Sequence, residues 1–192
     1  MDRLPTLILL AALSAGCDEK GAAAPPRSRV DSVKARAPAN ATAESFCDVQ
    51  PGKDAAAFQL PAITGEAPAA TGWRWINVWA TWCTPCVEEI PLIHRFRERL
   101  AGDGHKLALT FLSVDEDDAV VTEFRRKHPD VPAGPRIADA AALPAWFKTL
   151  GLDAAAPIPV HILVEPSGKI RCVRAGSISE GDFSVIASLV AQ

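Results

Sequence analysis

Residues 75–91 form the stretch that most constrains the fold of this chain. The first six are an apolar run of strand length, broken only by Asn77, as expected for a strand buried on both faces of a sheet. Cys83 and Cys86 follow, and apolar residues then recur at helical spacing: Val87, Ile90, Ile93, Phe96 and Leu100. A thiol pair that opens a helix after a buried strand is suited to thiol–disulfide exchange.

The start of the helix gives the two cysteines different predicted roles. Its unpaired amide N–H groups and partial positive charge favour thiolate over thiol, so Cys83 is predicted to be the more exposed sulfur of the pair and the nucleophile. Cys86, one turn further on, can attack a mixed disulfide on Cys83 and release the partner. Pro85 suits the first turn, where a helix needs no amide donor.

Other interpretations of the pair are weaker. A zinc site would need a second pair at similar spacing, and neither Cys47 nor Cys172 has such a neighbour. An inert structural disulfide does not explain the strand–cysteine–helix context, and a peroxidase would carry its cysteine in a different loop. The main alternative is a copper chaperone that uses the pair as soft ligands, although such carriers usually add His or Met nearby and the single methionine is Met1. We expect no metal and no cofactor beyond the redox-active disulfide.

The remaining pattern predicts one α/β domain over residues 46–192. The chain has 192 residues, 48% of them hydrophobic, and a net charge of −3, which gives no reason to expect nucleic acid as a partner. The order of predicted elements implies a central mixed sheet flanked by helices. The elements beyond residue 100 are strands at 107–114, 157–164 and 169–174, the last two as a hairpin, and helices at 115–128, 140–150 and from 179 onward.

These residues resemble a known family. The sequence around the cysteines resembles the thioredoxin fold, and more closely the exported, membrane-tethered TlpA/ResA-like thiol–disulfide oxidoreductases. Their pattern Asn-x-Trp-Ala-Thr-Trp-Cys-x-x-Cys-x-x-Glu-x-Pro is matched from Asn77 to Pro91. The hairpin that begins at Ile158–Pro159 is matched as well, and the resemblance covers roughly residues 55–190.

The resemblance implies roles for three residues. Pro159 corresponds to the cis-proline whose loop faces the two sulfurs, and Glu89 to a buried active-site glutamate that relays a proton. The alternative for Glu89 is an ordinary surface glutamate like Glu88. Asn77 stands where cytosolic thioredoxins carry a buried aspartate, in agreement with the exported family.

We assign client docking to residues beside the nucleophile and on the opposite loop: Trp82, Thr84, Pro85, Ile158 and Pro159. The other tryptophans are assigned to packing. His161, two residues past Pro159, is expected to be a satisfied core histidine rather than a catalyst.

The N-terminal segment predicts export. Residues 1–16 read as a signal peptide that ends in a sequence resembling the lipobox of bacterial lipoproteins, which implies a lipid on Cys17. Ser14 stands where the lipobox usually has leucine, so an ordinary cleaved signal is the alternative. Residues 17–45 are predicted to be a flexible tether. The protein is expected on the periplasmic side of a bacterial membrane, lipid-anchored or else soluble in the periplasm.

Two cysteines remain, Cys47 and Cys172. In an exported protein they suggest a structural disulfide, and the alternative is a third redox cysteine that forms relay disulfides.

The function predicted from these features is that of a monomeric, exported oxidoreductase. Its expected partners are thiols and disulfides of other exported proteins and a membrane electron donor. The resemblance suggests a reductant, of the type that serves cytochrome c maturation or copper-site assembly, while the opposite direction stays open because the sequence does not state a reduction potential.

Overall fold

The structure is a computed structural model that describes residues 42–52, 57–68 and 71–191. The predicted signal segment, Cys17 and residues 18–41 of the predicted tether lie outside the described residues. Within the described ranges, no helix has the length and apolar character needed to span a membrane.

A six-stranded mixed sheet forms the centre of the domain. The six strands are β1 (Ile63–Thr64), β2 (Trp73–Trp79), β3 (Leu107–Ser113), β4 (Arg136–Ile137), β5 (Val160–Val164) and β6 (Ile170–Ala175). Their order in the sheet is β1-β4-β3-β2-β5-β6, in which β2 is parallel to β3 and antiparallel to β5. Residues 75–80 are all buried, and since successive side chains point to opposite faces, both faces of the sheet are covered at β2. The predicted α/β class with a mixed sheet is confirmed.

Five α-helices complete the described part of the domain. The longest, α2 (Thr84–Gly102), follows β2 and buries one face that includes Cys86, Glu89 and Phe96. It continues through Pro91 and leads to the parallel strand β3, which makes a β–α–β crossover around the cysteine pair. The helices are α1 (Ala43–Phe46), α2 (Thr84–Gly102), α3 (Asp118–Lys127), α4 (Leu143–Thr149) and α5 (Phe183–Val190); short 3₁₀ turns, Ala140–Ala142 and Glu180–Asp182, precede α4 and α5.

The folded domain begins earlier than predicted. Helix α1 lies within the segment assigned to the tether, where the Thr42 hydroxyl accepts a hydrogen bond from the Ser45 amide at 3.3 Å and Phe46 is buried. A four-residue helix is too short to show apolar periodicity, which explains the error in the boundary at residue 46. The two-residue strand β4 was also not predicted, for the same reason.

The segment after α1 runs along the outer edge of β6. Val49 and Val173 exchange two backbone hydrogen bonds, of 3.1 and 2.9 Å. The Asp48 carboxylate accepts one more from the Ala175 amide at 2.7 Å. Cys47 and Cys172 form a disulfide here, with Cα atoms 5.5 Å apart, a distance that a disulfide spans without backbone movement.

Candidate active site

The cysteine pair lies where the central strand passes into the longest helix. After β2 a tight turn, closed by a 3.1 Å hydrogen bond from the Cys83 amide to the Ala80 carbonyl, places Cys83 at the N-cap of α2. Cys83 and Cys86 are joined as a disulfide with Cα atoms 5.3 Å apart. Cys83 is 5% exposed and Cys86 is fully buried, so a partner reaches Cys83 first.

The first turn of α2 has no side-chain cap. Cys83 occupies the N-cap position, but its side chain accepts no hydrogen bond from the amides of the first turn. In the disulfide its sulfur carries no charge. When the disulfide is reduced, a Cys83 thiolate would lie beside the first-turn amides and the positive end of the helix, which stabilise an anion.

The loop before β5 faces the nucleophile. The Ile158–Pro159 peptide bond is cis, and the Ile158 carbonyl oxygen lies 3.8 Å from the Cys83 Sγ. This is a contact rather than a hydrogen bond in the disulfide form, because the sulfur has no proton to donate. The Pro159 carbonyl accepts a hydrogen bond from the Gly176 amide at 2.8 Å, which ties the loop to the end of β6.

An open apolar groove of about 990 Å³ begins at the cysteine pair. All the predicted docking residues except Pro159 line it, and Val120 and Leu143 form part of its apolar wall. Trp82 is 68% exposed and Val120 is also exposed, and these are the two large hydrophobic side chains left exposed in the described part of the chain.

The rim of this groove is acidic. Three exposed carboxylates line it, those of Glu88, Glu116 and Asp117, and no lysine or arginine is among its described lining residues. Four acidic residues, the acidic run 115–118, open the helix that was predicted over 115–128. Glu116 and Asp117 of this run face the groove, and α3 itself begins at Asp118 with Asp117 as its N-cap.

Asp115 from the same run turns inward and was missed as a site residue. Its carboxylate is buried and accepts hydrogen bonds from the Thr81 amide at 3.1 Å and the Thr81 hydroxyl at 2.6 Å. It therefore fixes the turn that precedes Cys83. Arg136 on β4 also binds both ends of the acidic run. It donates to the Asp115 backbone carbonyl at 3.2 Å and to the Asp118 carboxylate at 2.7 Å. The hydrogen bond from Arg136 lowers the pKa of the Asp118 carboxyl.

Glu89 is buried one turn after Cys86. It is 4% exposed, whereas Glu88 is exposed, so the alternative of a surface side chain does not describe it. One carboxylate oxygen accepts from the Asn77 amide at 3.0 Å, and the other accepts from the Ile178 backbone amide, also at 3.0 Å. The carboxylate thus links the central strand, α2 and the loop after β6, and it belongs to the same buried face of α2 as Cys86.

His161 and Trp75 belong to the same buried cluster, which the sequence did not indicate. The His161 Nε2 lies 3.3 Å from a Glu89 oxygen, and the Trp75 indole N–H donates to the His161 Nδ1 at 3.2 Å. Trp75 was assigned only to packing and His161 only to the core. Within the described ranges, no group of three or more His, Cys, Asp or Glu is arranged to hold a metal ion.

Sequence comparisons identify similar proteins that are named as thioredoxin-like proteins or thiol–disulfide oxidoreductases. No family model matches the chain. The thioredoxin-like protein YneN of Bacillus subtilis is 24% identical over 139 residues, which cover 70% of this chain and 77% of YneN. The thiol–disulfide oxidoreductase ResA of Bacillus cereus is 23% identical over 126 residues, 64% of this chain and 68% of ResA.

Solved structures support the fold. A thioredoxin-related protein from Neisseria meningitidis serogroup B has a TM-score of 0.51 and 21% identity, over 64% of this chain and 87% of that protein. A thiol:disulfide interchange protein of the DsbE type from Chlorobium tepidum has the same TM-score at 19% identity, over 76% of this chain and 95% of that protein. The chain is thus a thiol–disulfide oxidoreductase of the thioredoxin fold, similar to the ResA-type proteins.

Proposed function

We propose that this oxidoreductase is exported and transfers electrons from a Cys83–Cys86 dithiol to disulfides of other exported proteins. The observation that carries the proposal is the position of the pair. The Cys83 sulfur, the more accessible of the pair, lies at a helix N-terminus, against the Ile158 carbonyl and at the end of an apolar groove in which a client segment can lie.

The reaction follows from this arrangement. The Cys83 thiolate attacks one sulfur of a client disulfide, so the second client sulfur leaves with the bonding electron pair. Cys86 then loses its proton and attacks the Cys83 Sγ, which releases the first client sulfur. The cysteine pair is oxidised to its disulfide, and the client gains two electrons and takes up two protons. A membrane dithiol donor must reduce the pair again.

Glu89 is the group we assign to the proton of Cys86. It lies three residues further along α2, on the same buried face, and its carboxylate is held by two hydrogen bonds from outside the helix. A fixed carboxylate near a thiol that must ionise is a suitable acceptor.

The groove indicates the chemistry of the client. An extended segment that carries the reactive cysteine beside apolar residues would fit the wall formed by Trp82, Val120 and Leu143. The acidic rim favours a segment with lysine or arginine near that cysteine. Clients of this kind include apoproteins that bind haem or copper through reduced cysteines, as the family resemblance suggests.

Trapping tests the proposal. The full-length chain with Cys86→Ala can form the mixed disulfide but cannot resolve it, so a client should remain on Cys83 in cells. The matched control, Cys83→Ala with Cys86 intact, should capture far less because Cys86 is fully buried. If neither variant retains a client and the wild-type chain reduces no protein disulfide, the proposal is wrong.

The direction of electron flow needs its own measurement. Equilibration of the pair with glutathione gives its reduction potential, and a reductant requires a value well below that of the oxidising compartment. A value near that of a strong oxidase would reverse the proposed direction.

The membrane anchor is the second part of the proposal. Incorporation of labelled lipid that is lost in Cys17→Ser would support lipidation of Cys17. Export without label would favour the ordinary cleaved signal and a soluble periplasmic protein.

The copper chaperone remains the competing function. Titration of the reduced chain with Cu(I) distinguishes the two: stoichiometric, tight binding without disulfide reductase activity would favour the chaperone.

A further inference from the structure

A buried histidine, His161, lies beside Glu89 and has no role in the proposed reaction of the cysteine pair. His161 is 3% exposed and lies on β5 directly opposite Asn77 on β2. Its Nε2 is 3.3 Å from the Glu89 Oε1.

The surroundings of the ring fix where its proton lies. The Trp75 indole nitrogen is a donor only, so the His161 Nδ1 must accept its hydrogen bond of 3.2 Å. The Asn77 amide nitrogen, which gives one hydrogen to Glu89, also lies 3.5 Å from Nδ1. A charged imidazolium would point an Nδ1 hydrogen at these two donors. The Nδ1 is therefore the acceptor, and the ring carries a hydrogen on Nε2.

The Nε2 that carries this hydrogen lies next to the Glu89 carboxylate. The Nε2–H is not aligned well enough with the Glu89 Oε1 to form a hydrogen bond in the disulfide form, and Nε2 has no hydrogen-bonded partner among the described residues. Even so, the positive end of the N–H dipole lies at contact distance from the carboxylate in a buried site, where such an interaction is weakly screened.

Few other groups reach the carboxylate. Among the described contacts, β2 contributes the neutral amide of Asn77 and the loop after β6 contributes the Ile178 backbone amide. On its own helix, Cys86 is one turn earlier. His161 is the one titratable side chain that another described element brings into contact with Glu89.

We infer that His161 is a positioning residue for the proton step of this oxidoreductase. Its Nε2–H, fixed by Trp75, favours the ionised carboxylate of Glu89 and so keeps it ready to take the proton of Cys86. The Cys86 thiolate then attacks the Cys83 Sγ, and the client sulfur leaves with the electron pair. This inference rests on the proposed function, because it assigns a role within the same reaction.

A two-phase reaction with Ellman's reagent separates the steps without a protein client. The Cys83 thiolate attacks the reagent and releases one thionitrobenzoate, and the attack of Cys86 on the mixed disulfide releases the second. The full-length chain is used with Cys17→Ser and with the Cys47–Cys172 disulfide intact, so that only the pair reacts. Stopped-flow absorbance from pH 5 to pH 9 gives both rates.

His161→Leu removes the Nε2–H and should act on the second phase alone. Loss of the N–H dipole beside a buried carboxylate should disfavour its ionised form, so the pH midpoint of this phase should rise by about one unit, and its rate at pH 7 should fall about tenfold. The first phase should change less than twofold. His161→Gln, whose amide can again offer an N–H at this position, should restore most of the rate.

A double-mutant cycle separates positioning from a structural role. If His161 acts through Glu89, then His161→Leu should add nothing to the slow second phase of Glu89→Gln. Independent, multiplicative effects, or equal slowing of both phases, would overturn the inference.

A second variant keeps the test decisive if His161→Leu does not fold. Trp75→Phe removes the indole N–H and allows the ring to carry its hydrogen on Nδ1, so the same upward shift is expected, and an unchanged midpoint would contradict the inference. A wild-type chain that releases both thionitrobenzoates but reduces no protein disulfide would instead refute the proposed function.

Discussion

Asn77 shows how one side chain sets the chemistry of its neighbour. Its amide donates to Glu89 at 3.0 Å inside the core, so replacing it with a second carboxyl group would place two acids at hydrogen-bond distance. Two buried carboxylates at this distance cannot both ionise, and the folded protein would hold one proton that the unfolded chain releases.

Asn77→Asp should therefore make stability fall as pH rises. Between pH 5 and pH 8 the variant should lose about 2–4 kcal/mol of unfolding free energy relative to the wild type, since the retained proton costs up to about 1.4 kcal/mol per pH unit. Urea unfolding at several pH values measures this. Asn77→Ala, which removes the amide without adding an acid, should be destabilised by a similar amount at every pH; parallel curves for the two variants would contradict the prediction.

Trp82 should contribute to client binding but not to the chemistry of the cysteines. A large aromatic side chain that is 68% exposed at the end of an apolar groove is typical of a binding hot spot. Trp82→Ala should raise the KM for a disulfide-containing client peptide by about fivefold or more, equivalent to about 1 kcal/mol. The reaction with Ellman's reagent should be unchanged. Equal loss with both substrates would place Trp82 in the reaction itself.

At the scale of elements, α3 is stabilised by charges along its exposed face. Glu123 pairs with Arg126 at 2.8 Å and with Lys127 at 3.1 Å. Their hydrogen bonds lower the pKa of the Glu123 carboxyl from 4.5 to about 2. Because the folded value lies below the unfolded one, this stabilisation is present above about pH 4.5 and is lost as pH falls toward 2.

Glu123→Gln should remove that part of the acid sensitivity. The drop in Tm between pH 5 and pH 2.5 should be smaller in the variant than in the wild type, and the difference should shrink in high salt because the pair is exposed. Glu98→Gln, an exposed carboxylate of α2 without an ion pair in the described part of the chain, is the matched control. An identical drop in all three proteins would contradict the assignment.

The elements also show what could be predicted from the sequence. Elements whose signal lies within one segment were predicted: the continuous apolar run of β2, the helical spacing of apolar residues in α2, and the two strands β5 and β6 separated by a turn. Helix α1 and strand β4 were missed because four and two residues carry no period, and contacts with distant segments hold them in place.

In the candidate site too, the residues with a local sequence pattern were predicted and the contacts between distant residues were not. The cysteine pair and Glu89 lie within one helix, so their spacing is visible in the sequence. The pairing of Glu89 with His161 depends on the register of β2 against β5, which sets Asn77 opposite His161, and the hydrogen bond between the Thr81 amide and Asp115 joins residues 34 apart in the chain. Neither relation has a local signal.

At the scale of the whole molecule, the Cys47–Cys172 disulfide closes the longer of the two covalent loops in the described part of the chain. It joins residues 125 apart, and the chain-entropy model gives a loop of this length about 4–5 kcal/mol as an upper estimate. The double variant Cys47→Ala and Cys172→Ala should lose about 2–5 kcal/mol of unfolding free energy in urea. Its reaction with Ellman's reagent after mild reduction should be unchanged. A slower reaction of Cys83 would indicate a relay role instead of a structural one.

The uncapped first turn of α2 connects folding to electron transfer. In the disulfide form the Cys83 side chain caps nothing, whereas a thiolate there can accept from the first-turn amides and stabilise the helix. If folding stabilises the reduced form more than the oxidised form, the reduction potential of the pair rises by about 30 mV for every 1.4 kcal/mol of that difference, and the pair becomes a stronger oxidant. The buried carboxylate of Glu89 opposes negative charge on Cys86, which destabilises the reduced form and lowers the reduction potential. Urea unfolding of the oxidised and reduced chains therefore measures this balance without a client: a reductant requires the oxidised form to be the more stable one.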